Sequence, residues 1–298
     1  MKSNFAIFID STGDLDKELR EKYDIDYLPL WVSIEDGEKI KASLDYDQGI
    51  SFKQFYQTMR DGKRIFTSQI DEATCREKWI PCLEKGMDIL YIAVSTGLSA
   101  SYNVGVKVAK ELMGKYGGRK IVCIDSLISG YGQGEMAIKA SEMREQGKSI
   151  DEIESFLLQK RLCFNQFGTV ENLTALKKAG RVTASSAFFG NLFSVKPILI
   201  SDTKGHNFAS EKVKGRKKSI ERIAELAVEA CLDPENEVFY ISDADSDEGS
   251  ELAREEILNR LPNAKIHMGK IGPIIGASTG PGTVVVYVYG KEVTLCGE

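Results

Sequence analysis

The sequence predicts an α/β protein of two domains: a three-layer N-terminal domain on a parallel sheet, then an α/β domain on a mixed sheet. Three observations predict this. The chain has 298 residues, about twice a typical domain. Its first half alternates short apolar runs with helical patterns, as a parallel sheet covered by helices requires. Its second half breaks that alternation with a hairpin-like segment and strands of irregular spacing. The change in pattern places the boundary near residue 163, giving domains 1–163 and 164–298.

In the first half, Phe5 to Ile9 reads as a strand ending at Asp10-Ser11-Thr12. Ile89 to Val94 reads as a second, ending at Ser95-Thr96-Gly97, and Ile121 to Ile124 as a third, ending at Asp125-Ser126. Helical periodicity covers 52–60, 74–85, 102–116, 134–146 and 151–163. In the second half a short helix, 170–178, leads to Ala179-Gly180-Arg181, and an aromatic helical patch covers 185–193. Strands are expected at 197–200, 207–213 (one arm of a hairpin), 237–243, 264–268 and 284–289. Helices are expected at 216–231 and 247–260, and a Gly-rich loop at 272–283.

Composition narrows the function classes. Hydrophobic residues make up 42% and charged residues 28%, with a net charge of -5, so the chain is globular and carries no general nucleic-acid footprint. No apolar run approaches the roughly 18 residues of a membrane span, and the N-terminus has no signal-peptide pattern, so a cytoplasmic location is expected. The six cysteines form no CxxC pair and the two histidines are a thin supply for zinc, so no metal is expected.

Three runs share one physical logic. In open α/β sheets ligands bind beyond the carboxyl ends of strands, where helix N-termini present unpaired N–H groups. Ser95-Thr96-Gly97-Leu98-Ser99-Ala100-Ser101 follows a strand and opens a helix. Thr67-Ser68-Gln69 lies between two helical segments, and Asp10-Ser11-Thr12-Gly13-Asp14 ends the first strand. Each suits a small anion such as a carboxylate; plain helix capping, the usual job of Ser and Thr at such places, is the reading that spacing alone favours. Gly130-Tyr131-Gly132-Gln133-Gly134 has the wrong spacing for a dinucleotide loop and reads as close packing of helix on strand. Gly97-Leu98-Ser99-Ala100-Ser101 approaches a nucleophile elbow but places Ser101 where the sharp turn needs glycine. In the aromatic patch Phe188, Phe189, Leu192 and Phe193 fall on one side of a helix, as ordinary core or as the wall of an apolar tunnel.

Eight segments in order resemble the DegV family from end to end. They are Asp10-Ser11-Thr12, Thr67-Ser68-Gln69, Ser95 to Tyr102, Asp125-Ser126, Leu176 to Val182, Lys196 to Leu199, Lys212 to Lys218 and Ile271 to Thr283. The resemblance implies a fatty acid lying between the two domains, held for a separate kinase subunit that phosphorylates its carboxylate. It implies no catalytic residue and no cofactor. Thr67 and Ser99 would bind the carboxylate, with Ser68, Ser95, Ser278 and Thr279 nearby. On the tunnel reading of the aromatic patch, Phe188, Phe189, Leu192 and Phe193 would wall the acyl chain. The basic segments around Arg181 and Lys212 to Lys218 suggest a docking surface, with Arg181 and Arg216 meeting the partner, and equally suit a plain solvated face. Two departures stand out. Ser278 occupies the place of the family's usual histidine, and Ala100-Ser101 that of its usual Gly-Thr. A serine donates one hydrogen bond but cannot become cationic. The alternatives are an acyl-directed enzyme with Ser99 as nucleophile, or a lipid-sensing regulator that never enters phosphotransfer.

Overall fold

The computed structural model describes residues 4–35, 37–47, 49–171, 174–183 and 195–297. The first part of the chain runs β1 (Phe5–Asp10), α1 (Lys17–Tyr23), β2 (Ile25–Leu28), β3 (Trp31–Ile34), β4 (Ile40–Lys41), α2 (Phe52–Arg60), β5 (Ile65–Ser68) and α3 (Glu72–Glu84). It continues with β6 (Asp88–Ala93), α4 (Ser101–Lys115), β7 (Ile121–Asp125), α5 (Tyr131–Glu145) and α6 (Ile150–Lys160). The second part holds β8 (Phe164–Thr169), α7 (Thr174–Ala179), β9 (Val182–Thr183), β10 (Val195–Ser201), β11 (Asn207–Lys214) and α8 (Arg216–Ala230). β12 (Val238–Asp243), α9 (Asp247–Arg260), β13 (Lys265–Lys270), α10 (Pro273–Thr279) and β14 (Val284–Tyr289) complete it.

Local chemistry sets several boundaries. Ser51 and Gln54 form a capping box that starts α2, and Ser149 and Glu152 do the same for α6. Asp71 caps α3 by accepting from Thr74 N at 2.7 Å. After Asp88, β6 reads Ile-Leu-Tyr-Ile-Ala without alternation, because it is central and covered on both faces.

Two main sheets result. β2-β1-β6-β7 is all parallel, and β13-β12-β14-β8-β10-β11-β9 is mixed. A third, antiparallel sheet, β4-β3-β5, carries Thr67 and Ser68. Helices α3 and α4 cover one face of the parallel sheet, and α8 and α9 cover the far face of the mixed sheet. Between the sheets lies α5, packed on β1 and β6 on one side and on β8 and β14 on the other. Every residue from Tyr131 to Ile138 is buried, so this part of α5 has no solvent stripe and serves as a shared middle layer, while Glu142 and Glu145 near its end are exposed. Its glycines permit that contact. A Cβ on Gly134 would lie 2.6 Å from Leu15 Cδ2, and one on Gly132 would lie 2.3 Å from Ile128 Cδ1.

The structure departs from the sequence expectations in places. The stretch 164–169 is a central strand, and the following helix starts only at Thr174. The small sheet was not expected, because its strands have two to four residues and no alternation long enough to show. Thr67 and Ser68 therefore sit on a strand rather than in a loop. The expected loop 272–283 contains α10, which begins with Pro273 just inside its N-terminus, where proline's missing N–H costs nothing. The aromatic patch with Phe188, Phe189, Leu192 and Phe193 lies outside the described residues. Among the described residues no helix is long and apolar enough to cross a membrane.

Candidate functional site

The carboxyl ends of β1 and β6 meet the end of β5 and the helix α10 around a small cavity. Asp10 frames this corner. Its Oδ1 accepts from Thr12 N at 3.1 Å and from the Thr12 hydroxyl, and its Oδ2 accepts from Tyr91 Oη and Val94 N, both at 2.9 Å. Ser11 Oγ accepts from Leu30 N at 2.9 Å. These buried groups are spent on the frame, and from this first run only Thr12 reaches the cavity lining.

The loop after β6 is shaped from within. Ser95 is fully buried, its Oγ accepts from Gly97 N at 3.1 Å, and its carbonyl accepts from Leu98 N and Ser99 N. Ser99 Oγ lies 2.9 Å from Ser101 Oγ and accepts from Ser101 N at 3.2 Å. The β10–β11 turn closes on this loop. A Cβ on Gly205, which has φ +75°, would lie 2.1 Å from Ser95 Oγ, so glycine is required there for both reasons. Neither histidine hydrogen-bonds to Ser99: His206 N donates to Asp202, and His267 Nε2 pairs with Asp16 Oδ2 at 2.6 Å.

α10 is suspended from the first unit. Tyr46 Oη and Tyr56 Oη donate to the Ile271 carbonyl at 3.0 and 2.8 Å, and Asp14 Oδ1 accepts from Gly272 N at 3.0 Å. Burial pushes the Asp14 carboxyl well above the usual range, and its Oδ2 has no hydrogen-bond partner among the described residues. At the other end of α10, Ser278 faces the cavity and Thr279 Oγ1 donates back to the Ile275 carbonyl at 3.0 Å.

Thr67, Ser68, Ser99, Ser278, Thr279 and Arg181 all line one cavity of about 60 Å³. Leu98, Ile274 and Ile275 form its apolar side. Thr67, Arg181, Ser278 and Thr279 are shared with an adjoining, more open cleft of about 570 Å³. That cleft also holds Arg60, Lys63, Arg64 and Lys178, so it is strongly basic. Arg60 is paired with Asp245. Arg181 is exposed, donates to the Ala179 carbonyl, and has no carboxylate partner among the described residues. It is the one charged group among the described residues that line the smaller cavity.

Of the described residues singled out from sequence, the structure does not bring two to the cavity. Ser95 lies beneath the loop. Arg216 donates to the Gly282 and Thr169 carbonyls and lies 3.4 Å from Glu171, so it braces the loop after α10. The sequence reading missed Asn207 and Ile274 of the lining. Ile274 was hidden by the glycines around it, and Asn207, at the start of a strand, carries no motif. Among the described residues no three histidine, cysteine or acidic side chains form a metal-binding group.

The profile of a family described as "uncharacterised protein, DegV family" matches residues 4–291. A DegV domain-containing protein of Clostridium perfringens is 35% identical over 288 residues, covering 96% of this chain and 97% of that protein. The crystal structure of DegV from Bacillus subtilis, described as a fatty-acid-binding protein, is 27% identical with a TM-score of 0.82, covering 97% and 100% of the two chains. A stearic-acid-binding protein of Eubacterium ventriosum is 26% identical with a TM-score of 0.85, covering 96% and 98%.

Proposed function

This chain belongs to the DegV family, and from that premise we propose that it binds one long-chain fatty acid and presents its carboxylate to a fatty acid kinase subunit. In this reading the chain divides at residue 163 and the carboxylate sits where the two domains meet. The observation that carries it is the convergence of Thr67, Ser99 and Ser278 hydroxyls with Arg181 on one cavity with an apolar side. Solved relatives that bind fatty acids share the fold at 26–27% identity.

The physical logic suits an acid with a long tail. A carboxylate leaving water needs several donors to stay ionised. Clustered hydroxyls supply these, and Arg181 adds positive potential at the opening. About 14 methylenes at roughly 0.8 kcal/mol each gross on the order of 11 kcal/mol, reduced substantially by the cost of association. The protein then needs no catalytic group of its own, because the phosphoryl donor and its machinery belong to the partner.

The basic cleft of about 570 Å³ opens beside the headgroup cavity, where a kinase would have to approach. Arg181 therefore serves the ligand and the docking surface together, and Arg216 serves docking through the loop it braces. Titration of the delipidated protein with oleate tests the binding step: a 1:1 complex is expected, and no binding would overturn the reading. Adding ATP and a fatty acid kinase catalytic subunit tests the presentation step. Acyl phosphate formation that depends on this chain is expected; binding without it would make the chain a lipid-sensing regulator.

A further inference from the structure

We propose that Ser101 is a positioning residue that fixes the direction of the Ser99 hydroxyl proton and so commits Ser99 to donate into the cavity. The inference rests on the reading of that cavity as a carboxylate site. Ser101 is fully buried at the first turn of α4. Its Oγ receives the N–H of Ile70 at a long 3.4 Å, and its nearest polar neighbour is Ser99 Oγ at 2.9 Å. Ser99 Oγ also receives the N–H of Ser101 at 3.2 Å.

A hydroxyl has one proton and two lone pairs. Two arrangements of this pair are available. If Ser99 donates to Ser101, the Ser101 proton is left in a buried place with no acceptor among the described residues, which is the costly outcome. If Ser101 donates to Ser99, each group is used. The Ile70 N–H ends on Ser101, the Ser101 proton ends on Ser99, and the Ser99 proton is left facing the cavity. The second arrangement is the stable one. Ser99 has then filled both lone pairs and can only donate.

This has a consequence for specificity. A carboxylate only accepts, so it matches Ser99 as Ser101 sets it. An alcohol headgroup brings a proton of its own that Ser99 cannot accept. Ser101 also ties two parts of the site together, because Ile70 follows Thr67-Ser68-Gln69 directly. A bare helix start with alanine at position 101 would leave the Ser99 hydroxyl free to rotate.

The test is a double-mutant cycle on the full chain, delipidated, titrated calorimetrically with oleate and with oleyl alcohol. Ser101→Ala is expected to weaken oleate roughly threefold to tenfold and oleyl alcohol little. In a Ser99→Ala background the same change should have no further effect, because its route is gone. Ser101→Thr, which keeps the hydroxyl, should retain oleate affinity. Ser101→Cys keeps the volume with a much weaker donor and should follow alanine, and it stands in if the alanine variant does not fold. Unchanged oleate binding in Ser101→Ala or Ser101→Cys would overturn the inference. So would equal losses for both ligands, or losses additive with Ser99→Ala. A parent chain that binds no oleate would instead sink the fatty acid reading itself.

Discussion

Tyr56 reaches from α2 to the Ile271 carbonyl at 2.8 Å, so the helix that carries Ser278 hangs from a side chain of the other sheet system. Gly276 lies against the same hydroxyl: a Cβ there would be 2.3 Å from Tyr56 Oη. Tyr56→Phe should cost about 1 kcal/mol of stability, because Tyr46 still serves the same carbonyl. Gly276→Ala should cost more, since the buried ring of Tyr56 must move. Denaturant unfolding with a parallel oleate titration checks both, and oleate affinity should fall in step with the displacement of α10.

Thr67, on β5, and Ser99, in the loop between β6 and α4, are brought to one cavity. A neutral hydrogen bond contributes about 1 kcal/mol and one to a charged acceptor about 1.5–3 kcal/mol. Thr67→Ala and Ser99→Ala should each weaken oleate roughly tenfold or more with little change in melting temperature. Equal affinity in parent and both variants would move the headgroup elsewhere.

Ser278 shares the lining with Arg181. Ser278→His should tighten oleate by about 1–2 kcal/mol at pH 5.5. The gain should fade as pH rises through the introduced imidazole's pKa, ordinarily near about 6.5. Arg181→Gln should weaken oleate several-fold at low salt and less at high salt, because the guanidinium is exposed. The histidine gain should be larger in the Arg181→Gln background, where no second cation competes. Isothermal titrations at pH 5.5 to 8.5 separate these outcomes.

Stability should depend on pH through carboxyls shifted in opposite directions, Glu135 and Asp14 upward and Asp16 downward. Burial raises the Glu135 carboxyl to about 8, with nearby Lys139 opposing, and its Oε2 has no hydrogen-bond partner among the described residues. The folded state thus holds a proton that the unfolded chain releases near about 4.3, so stability falls as pH rises from there to about 8. Glu135→Gln should flatten that slope and raise the melting temperature at pH 8. For Asp16, burial pushes the carboxyl up, but hydrogen bonds from His267 and Leu19 N bring it down to about 2. Its contribution is present above about pH 4 and is lost as pH falls toward 2. Asp16→Asn should shallow that acid limb, to which other lowered carboxyls such as Asp71 also contribute. Thermal melts across pH 2 to 9 read both effects.

The parallel sheet and most long helices were legible because apolar runs and helical periods repeat along the first part of the chain. β8 was not, since Phe-Asn-Gln-Phe-Gly-Thr mixes buried polar and apolar residues, with Asn165 donating to the distant Lys291 carbonyl as well as to Cys163, and Gln166 to the distant Asn207. The small sheet escaped because pairing with β3, rather than any local pattern, holds β5 extended. The hydroxyl residues proposed for the headgroup stood out as motifs, yet their meeting at one cavity depends on α10, whose glycines read as loop. The burial of Ser95 and the bracing role of Arg216 follow from the turn at Gly205 and the carbonyl of Gly282, contacts that no sequence spacing encodes.

Organic extraction of the protein as purified from its expression host, followed by mass spectrometry, tests the central claim most directly. The account predicts about one long-chain fatty acid per chain, present in the parent and much reduced in the Thr67→Ala, Ser99→Ala double variant. Several independent preparations without stoichiometric fatty acid, or the same amount in parent and double variant, would contradict it.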